Sequence, residues 1–147
     1  MNLKEKLQRD MVAAMKAKDE KRTGVIRLLR GMIRKLEIDQ KKELEDQDII
    51  GVLNHAAKQR REAIKAYTDG GRDDLVRQEK AELAIILEYL PEPLDAAALE
   101  KIVDTVIAET GAMSLKDLGK VMPEIMQQVK GRADGAQVQT LVRAKLS

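Results

Sequence analysis

Two tyrosines are the whole aromatic complement of this chain, which has no phenylalanine and no tryptophan. Its core must therefore be assembled from Leu, Ile, Val, Met and Ala. With 35% of residues charged and few strand-favouring aromatics, the composition suits a soluble, all-α protein. The length of 147 residues accommodates one medium domain or two small helical ones.

Apolar residues recurring at helical spacing predict the elements. The first helix runs from about Asn2 to Lys18 on Leu3, Leu7, Met11 and Ala14. The second runs from about Asp19 to Lys41, with Val25, Leu29, Met32, Ile33 and Leu36 on one face. The stretch DQKKELEDQD reads as a polar break. Asp46 is expected to cap a third helix that reaches about Thr68. In the turn DGG (Asp69 to Gly71) glycine supplies a positive φ. A fourth helix runs from about Asp73 to Leu90, where Pro91 ends it by pushing the preceding residue out of helical geometry.

Pro91 and Pro93 mark the expected boundary between an N-terminal helical domain of about four helices, residues 1–90, and a three-helix domain, residues 91–147. At 57 residues the second core is marginal by itself. Asp95 caps its first helix and Gly111 ends it, with Leu99, Ile102, Val103 and Val106 inward. Ser114 opens the next, with Asp117 in a capping-box position. Gly131 suits the cap that ends it. Asp134 and Gln137 form a capping-box-like start for the last helix, which reaches about Lys145. Pro123 falls inside the Leu118, Met122, Ile125, Val129 pattern. It either kinks that helix, opposite the small Gly119, or divides it in two.

Few residues can carry chemistry. Cysteine is absent, which excludes disulfides and thiolate catalysis. The two serines, Ser114 and Ser147, are a cap and the last residue. The single histidine, His55, falls on the solvent side of its helix. No phosphate-cradling or zinc-binding motif is present. No catalytic residue, metal or cofactor is expected. The first residues lack the apolar stretch of a signal peptide and no run is long enough to span a membrane, so a cytoplasmic protein is expected.

Two charges break the amphipathic pattern. Arg60 lies near the centre of one apolar face and Glu79 near the centre of the next. A tight turn should place them at similar heights, so an Arg60–Glu79 ion pair is expected, with Glu82 as the alternate partner. The net charge is only +2, but it is uneven. Residues 1–90 hold 20 basic and 17 acidic side chains, and residues 91–147 hold 7 and 8. Arg27, Arg30, Arg34 and Lys41 share a narrow sector that could track phosphates or be an ordinary solvated face. Lys116, Lys120 and Lys130 share the solvent side of the Pro123 helix, and Arg132 follows in the turn.

The stretches KQRREAIKAY, AELAIILEYLPEPL, ETGAMSLKDLGKVM and VKGRADGAQVQTLV resemble the GatB/YqeY family, specifically its short stand-alone YqeY-like members. The resemblance implies an all-helical protein with a compact C-terminal domain. That domain is similar to the tail of the aminoacyl-tRNA amidotransferase B subunit, which helps engage tRNA while catalysis lies elsewhere. The tail-like positions are Gly119 to Met122 and Gly131 to Gly135. Many relatives carry another small or polar residue where this chain has Pro123. The amidotransferase label, a carbon-nitrogen ligase with glutamine as amido-N-donor, finds no catalytic counterpart in this sequence.

The expectation is thus a monomeric accessory protein of translation. Its partner would be tRNA or a tRNA-handling complex, without membrane or DNA. The expected contacts are Lys116, Lys120, Lys130, Arg132 and Arg143, supported by Arg27, Arg30 and Arg34. A helical protein-interaction module is the alternative, and an amide-transfer subunit the second.

Overall fold

The computed structural model describes residues 1–129 and 132–147, so the expectations for Lys130 and Gly131 lie outside the described residues. Among the described residues the chain is all-α, with seven α-helices, one 3₁₀ turn and no strand. The residues group into two units, Met1–Leu90 and Pro91–Ser147. No helix is long and apolar enough to cross a membrane among the described residues.

The first unit holds α1 (Leu3–Lys16), α2 (Glu20–Gln40), α3 (Asp46–Asp69) and α4 (Asp73–Leu87). Lys4 reaches Glu37, and Met11 lies against Arg30, so α1 and α2 form an antiparallel hairpin. The shared core includes Leu7, Ile26, Leu29, Leu53 and Ile86, all fully buried.

Four of these helix ends use one device. The amide following a left-handed residue, two residues past α2 and the fifth helix and three past α1 and α3, bonds the carbonyl five positions back. Gly71 (φ 71°) is that residue after α3 and Gly111 (φ 69°) after the fifth helix. After α1 and α2 the position is filled by Lys18 (φ 59°) and Lys41 (φ 53°), with Asp19 N bonded to Ala14 O at 2.9 Å and Lys42 N to Glu37 O at 3.2 Å. A Cβ in that conformation is strained, so α1 stops at Lys16 without the glycine signal by which a stop is read. Lys18→Gly and Lys41→Gly should each raise stability by roughly 0.5–1 kcal/mol, read as urea midpoints at constant slope.

Asp46 does not cap α3. Its Oδ1 accepts the Leu3 amide at 3.0 Å and so serves the start of α1, while Asp48 Oδ2 accepts the Glu45 amide at 3.1 Å at the start of α3. The polar break also hides a core residue. Leu44 is buried, and its amide donates to Glu37 Oε2 at 2.9 Å. The Lys4 ammonium, with that amide, holds the Glu37 carboxyl below the usual carboxylate range.

Helix α4 ends three residues before the expected Leu90. Glu88, Tyr89 and Leu90 continue through bonds to the carbonyls three residues back. This tightened turn buries Tyr89, whose hydroxyl donates to Asp10 Oδ2 at 2.6 Å, with Lys6 Nζ 5.3 Å from the ring centre. Burial, then the bond to Asp10, pushes the phenol well above its ordinary pKa.

The second unit holds α5 (Ala96–Thr110), the 3₁₀ turn Leu115–Asp117, α6 (Leu118–Val129) and α7 (Gly135–Leu146). Asp95 Oδ1 accepts the Ala98 amide at 2.7 Å and caps α5. Ser114 and Asp117 form their capping box on the 3₁₀ turn rather than on α6 itself. Helix α6 runs unbroken through Pro123, so the helix is not divided there. Asp134 stands at the N-cap of α7, but its carboxylate accepts no capping hydrogen bond, unlike the expected box with Gln137. The core is wholly aliphatic, with Val103, Val121, Ile125, Val129, Val138 and Val142 fully buried.

Candidate nucleic-acid interface

A phosphate-binding surface needs exposed cations that internal carboxylates leave free. Lys116 sits in the 3₁₀ turn and Lys120 in the first turn of α6, and both are exposed. Asp117 lies between them. The Met113 and Ser114 amides hold its carboxyl below the usual range, with a smaller contribution from Lys120. Arg143 is exposed in the last turn of α7. Among the described residues none of these three cations has a carboxylate within 4.0 Å.

Arg132 is different. Its Nε donates to Glu92 O at 3.0 Å, and its own carbonyl accepts the Leu94 amide at 2.9 Å. It ties the stretch from Glu92 to Leu94, around Pro93, to the turn before α7, so its guanidinium is partly engaged. Lys145, next to Arg143 in sequence, is held by Glu100 and Asp104. The candidates therefore occupy separate elements, and no hydrogen bond joins them among the described residues. Lys116 and Lys120 stand at the start of α6, and Arg132 lies beyond its other end, a helix of roughly 18 Å away. Lys130 is outside the described residues.

The arginine ridge on α2 is also divided. Arg27 and Arg34 are exposed with no carboxylate within 4.0 Å among the described residues, although the charge of Arg34 still acts on Glu37, whereas Arg30 leans onto α1 with Nη1 3.4 Å from Met11 Sδ. Residues 21–36 contain six basic side chains and no acidic one. Of these, Arg22 is bonded to Glu88 at 2.9 Å.

On the facing helices α3 and α4, Arg60 Nε stands 3.6 Å from Glu79 Oε2 and 3.3 Å from Glu82 Oε2. The alternate partner is thus the nearer one. All three side chains are mostly buried, and Arg60 Nε and Glu79 Oε2 lack a hydrogen-bond partner. Charge, not directed bonding, holds this triad. His55 is exposed on α3. Among the described residues no three His, Cys, Asp or Glu side chains converge on a metal-sized site.

Comparison with known proteins places the chain. A family model described as Yqey-like protein matches residues 4–146. The chain is 31% identical over 124 residues to altered inheritance of mitochondria protein 41, mitochondrial, of Eremothecium gossypii, covering 84% of this chain and 67% of that relative. The protein of the same name from Vanderwaltozyma polyspora is 30% identical over 120 residues, covering 76% and 64%. That from Lachancea thermotolerans is 36% identical over 85 residues, covering 57% and 46%. The chain thus spans at most about two thirds of the length of these relatives. The match over nearly the whole sequence establishes that the chain belongs to the YqeY-like family.

Proposed function

We propose that this protein is a non-catalytic accessory factor of translation, acting as a monomer, whose Pro91–Ser147 unit contacts tRNA or a tRNA-handling complex. The observation that carries this reading is the set of exposed cations without carboxylate partners, Lys116, Lys120 and Arg143, around a stretch that resembles an amidotransferase tail. With no phenylalanine or tryptophan to stack on bases, such a contact would follow shape and phosphates. Arg132 then positions the turn before α7 and contributes less charge to the ligand. The names of the relatives place those proteins in mitochondria; the cytoplasm is our proposal for this chain, and cell fractionation tests it.

Titration of labelled tRNA with the full chain at several salt concentrations tests the function. Three phosphate contacts should give a slope of log K against log salt of roughly −2 to −3. The triple variant Lys116→Glu/Lys120→Glu/Arg143→Glu should abolish binding while retaining helicity. Absence of binding at low salt, or binding indifferent to salt, would contradict the proposal. Glutamine incubated with the purified chain should release no ammonia.

A further inference from the structure

Helix α2 presents a second surface of a different kind. Gly24, Leu28, Gly31, Lys35 and Ile38 follow one another at alternating spacings of four and three, the seam of a two-helix contact. All five are exposed, with Leu28 at 48% and Ile38 at 64%. A methyl group added at Gly24 or Gly31 would meet nothing within 4 Å. Nothing among the described residues therefore requires these two helix-weakening glycines for packing. They leave side-chain-free positions on either side of Leu28, with Lys35 between Gly31 and Ile38.

Beside the seam on α2 stand Arg27 and Arg34, seven residues apart, and Lys41 follows just past the helix end. In a coiled coil the flanking position that repeats every seven residues selects the partner by charge. Both arginines are exposed, and neither has a carboxylate within 4.0 Å among the described residues. We propose that this face docks an amphipathic helix of a partner protein whose flanking positions are acidic.

Charge complementarity chooses the occupant. In a second copy packed antiparallel, Arg27 and Arg34 would face their own counterparts, and packed parallel only Asp39 would offer them a carboxylate. Phosphates would satisfy the cations but gain nothing from Leu28 and Ile38. An apolar helix flanked by carboxylates uses both features. The inference is independent of the RNA reading, which concerns the other unit.

The test uses the full chain and a synthetic four-heptad helical peptide, apolar at its seam and glutamate at both flanks, with a lysine-flanked version as control. Fluorescence anisotropy should show binding of the glutamate peptide only. Arg27→Glu/Arg34→Glu should weaken it about tenfold and transfer preference to the lysine peptide. Leu28→Ser/Ile38→Ser changes only exposed positions, preserves the charges, and should weaken the glutamate peptide about tenfold. The proposal is overturned if the peptides bind equally or not at all, or if the serine variant binds as well as the parent. It is also overturned if Arg27→Glu/Arg34→Glu abolishes tRNA binding while the serine variant does not, since the face would then serve phosphates. Lys116→Glu/Lys120→Glu/Arg143→Glu should leave the peptide affinity unchanged, so the two readings can fail separately.

Discussion

Ile125→Ala should destabilise the Pro91–Ser147 unit by about 3–4 kcal/mol, the upper part of the range for a truncated core isoleucine. Ile125 is 0% exposed and is the sole isoleucine in a buried cluster otherwise made of valines and two leucines. Most of the buried walls are valines, branched at Cβ and stiff, so only the flexible Met122 and Met126 packed against the cluster move readily toward the void. A unit of this size has roughly 3–8 kcal/mol of stability in all. The substitution should therefore remove most of it. Hydrogen exchange read at the α5, α6 and α7 amides is the appropriate measurement, because it reports this unit residue by residue. Protection should fall by at least a hundredfold, with Ile125→Val costing only about 1 kcal/mol. Protection within a few-fold of the parent would mean that this aliphatic cluster does not hold the unit together.

Arg60→Ala should be the most damaging polar substitution, at about 2 kcal/mol. Removing one member of a fully buried ion pair costs roughly 3–5 kcal/mol, and the residual exposure of 15% at Glu79 and 20% at Glu82 reduces it. The loss arises because two carboxylates remain at one site without a counter-charge. Arg60→Met combined with Glu79→Leu and Glu82→Leu should therefore restore parental stability or exceed it, since apolar replacement of a buried ionic cluster removes its desolvation cost. A cycle of Arg60→Ala with Glu82→Gln should show coupling above 0.5 kcal/mol. Additive losses, or a triple variant as unstable as Arg60→Ala, would show that the triad does not act as a unit.

These effects indicate which parts of the fold could be read from the residues. Aliphatic periodicity marks every helix, because a chain almost without aromatics can bury itself only through regular stripes. Glycine endings at Gly71 and Gly111 were legible, since left-handed geometry selects glycine. Lys18 and Lys41 hold the same geometry and left no trace, because the bonds to Ala14 O and Glu37 O that close the helix, not the residue type, impose it. Asp46 has the character of a cap but serves the start of α1, which lies 43 positions earlier in sequence. Leu44 and Tyr89 were passed over for a similar reason. One sits in a polar stretch and the other in a terminal turn, and each is buried by tertiary contacts that no local pattern encodes. The opposed Arg60 and Glu79 were legible because charges inside an apolar stripe demand partners. The candidate interface was legible only as a list of exposed cations. Which are already spent, as Arg132 is on Glu92 and Arg30 on Met11, depends on contacts across the fold.

We propose that this protein contacts tRNA or a tRNA-handling complex rather than transforming a substrate. The most direct test of that proposal is ultraviolet crosslinking in intact cells, followed by native purification of the full chain. tRNA, or a tRNA-binding polypeptide, should be recovered with the protein, and the crosslinked peptides should contain Lys116, Lys120 or Arg143. Recovery of neither tRNA nor any tRNA-binding polypeptide would contradict it.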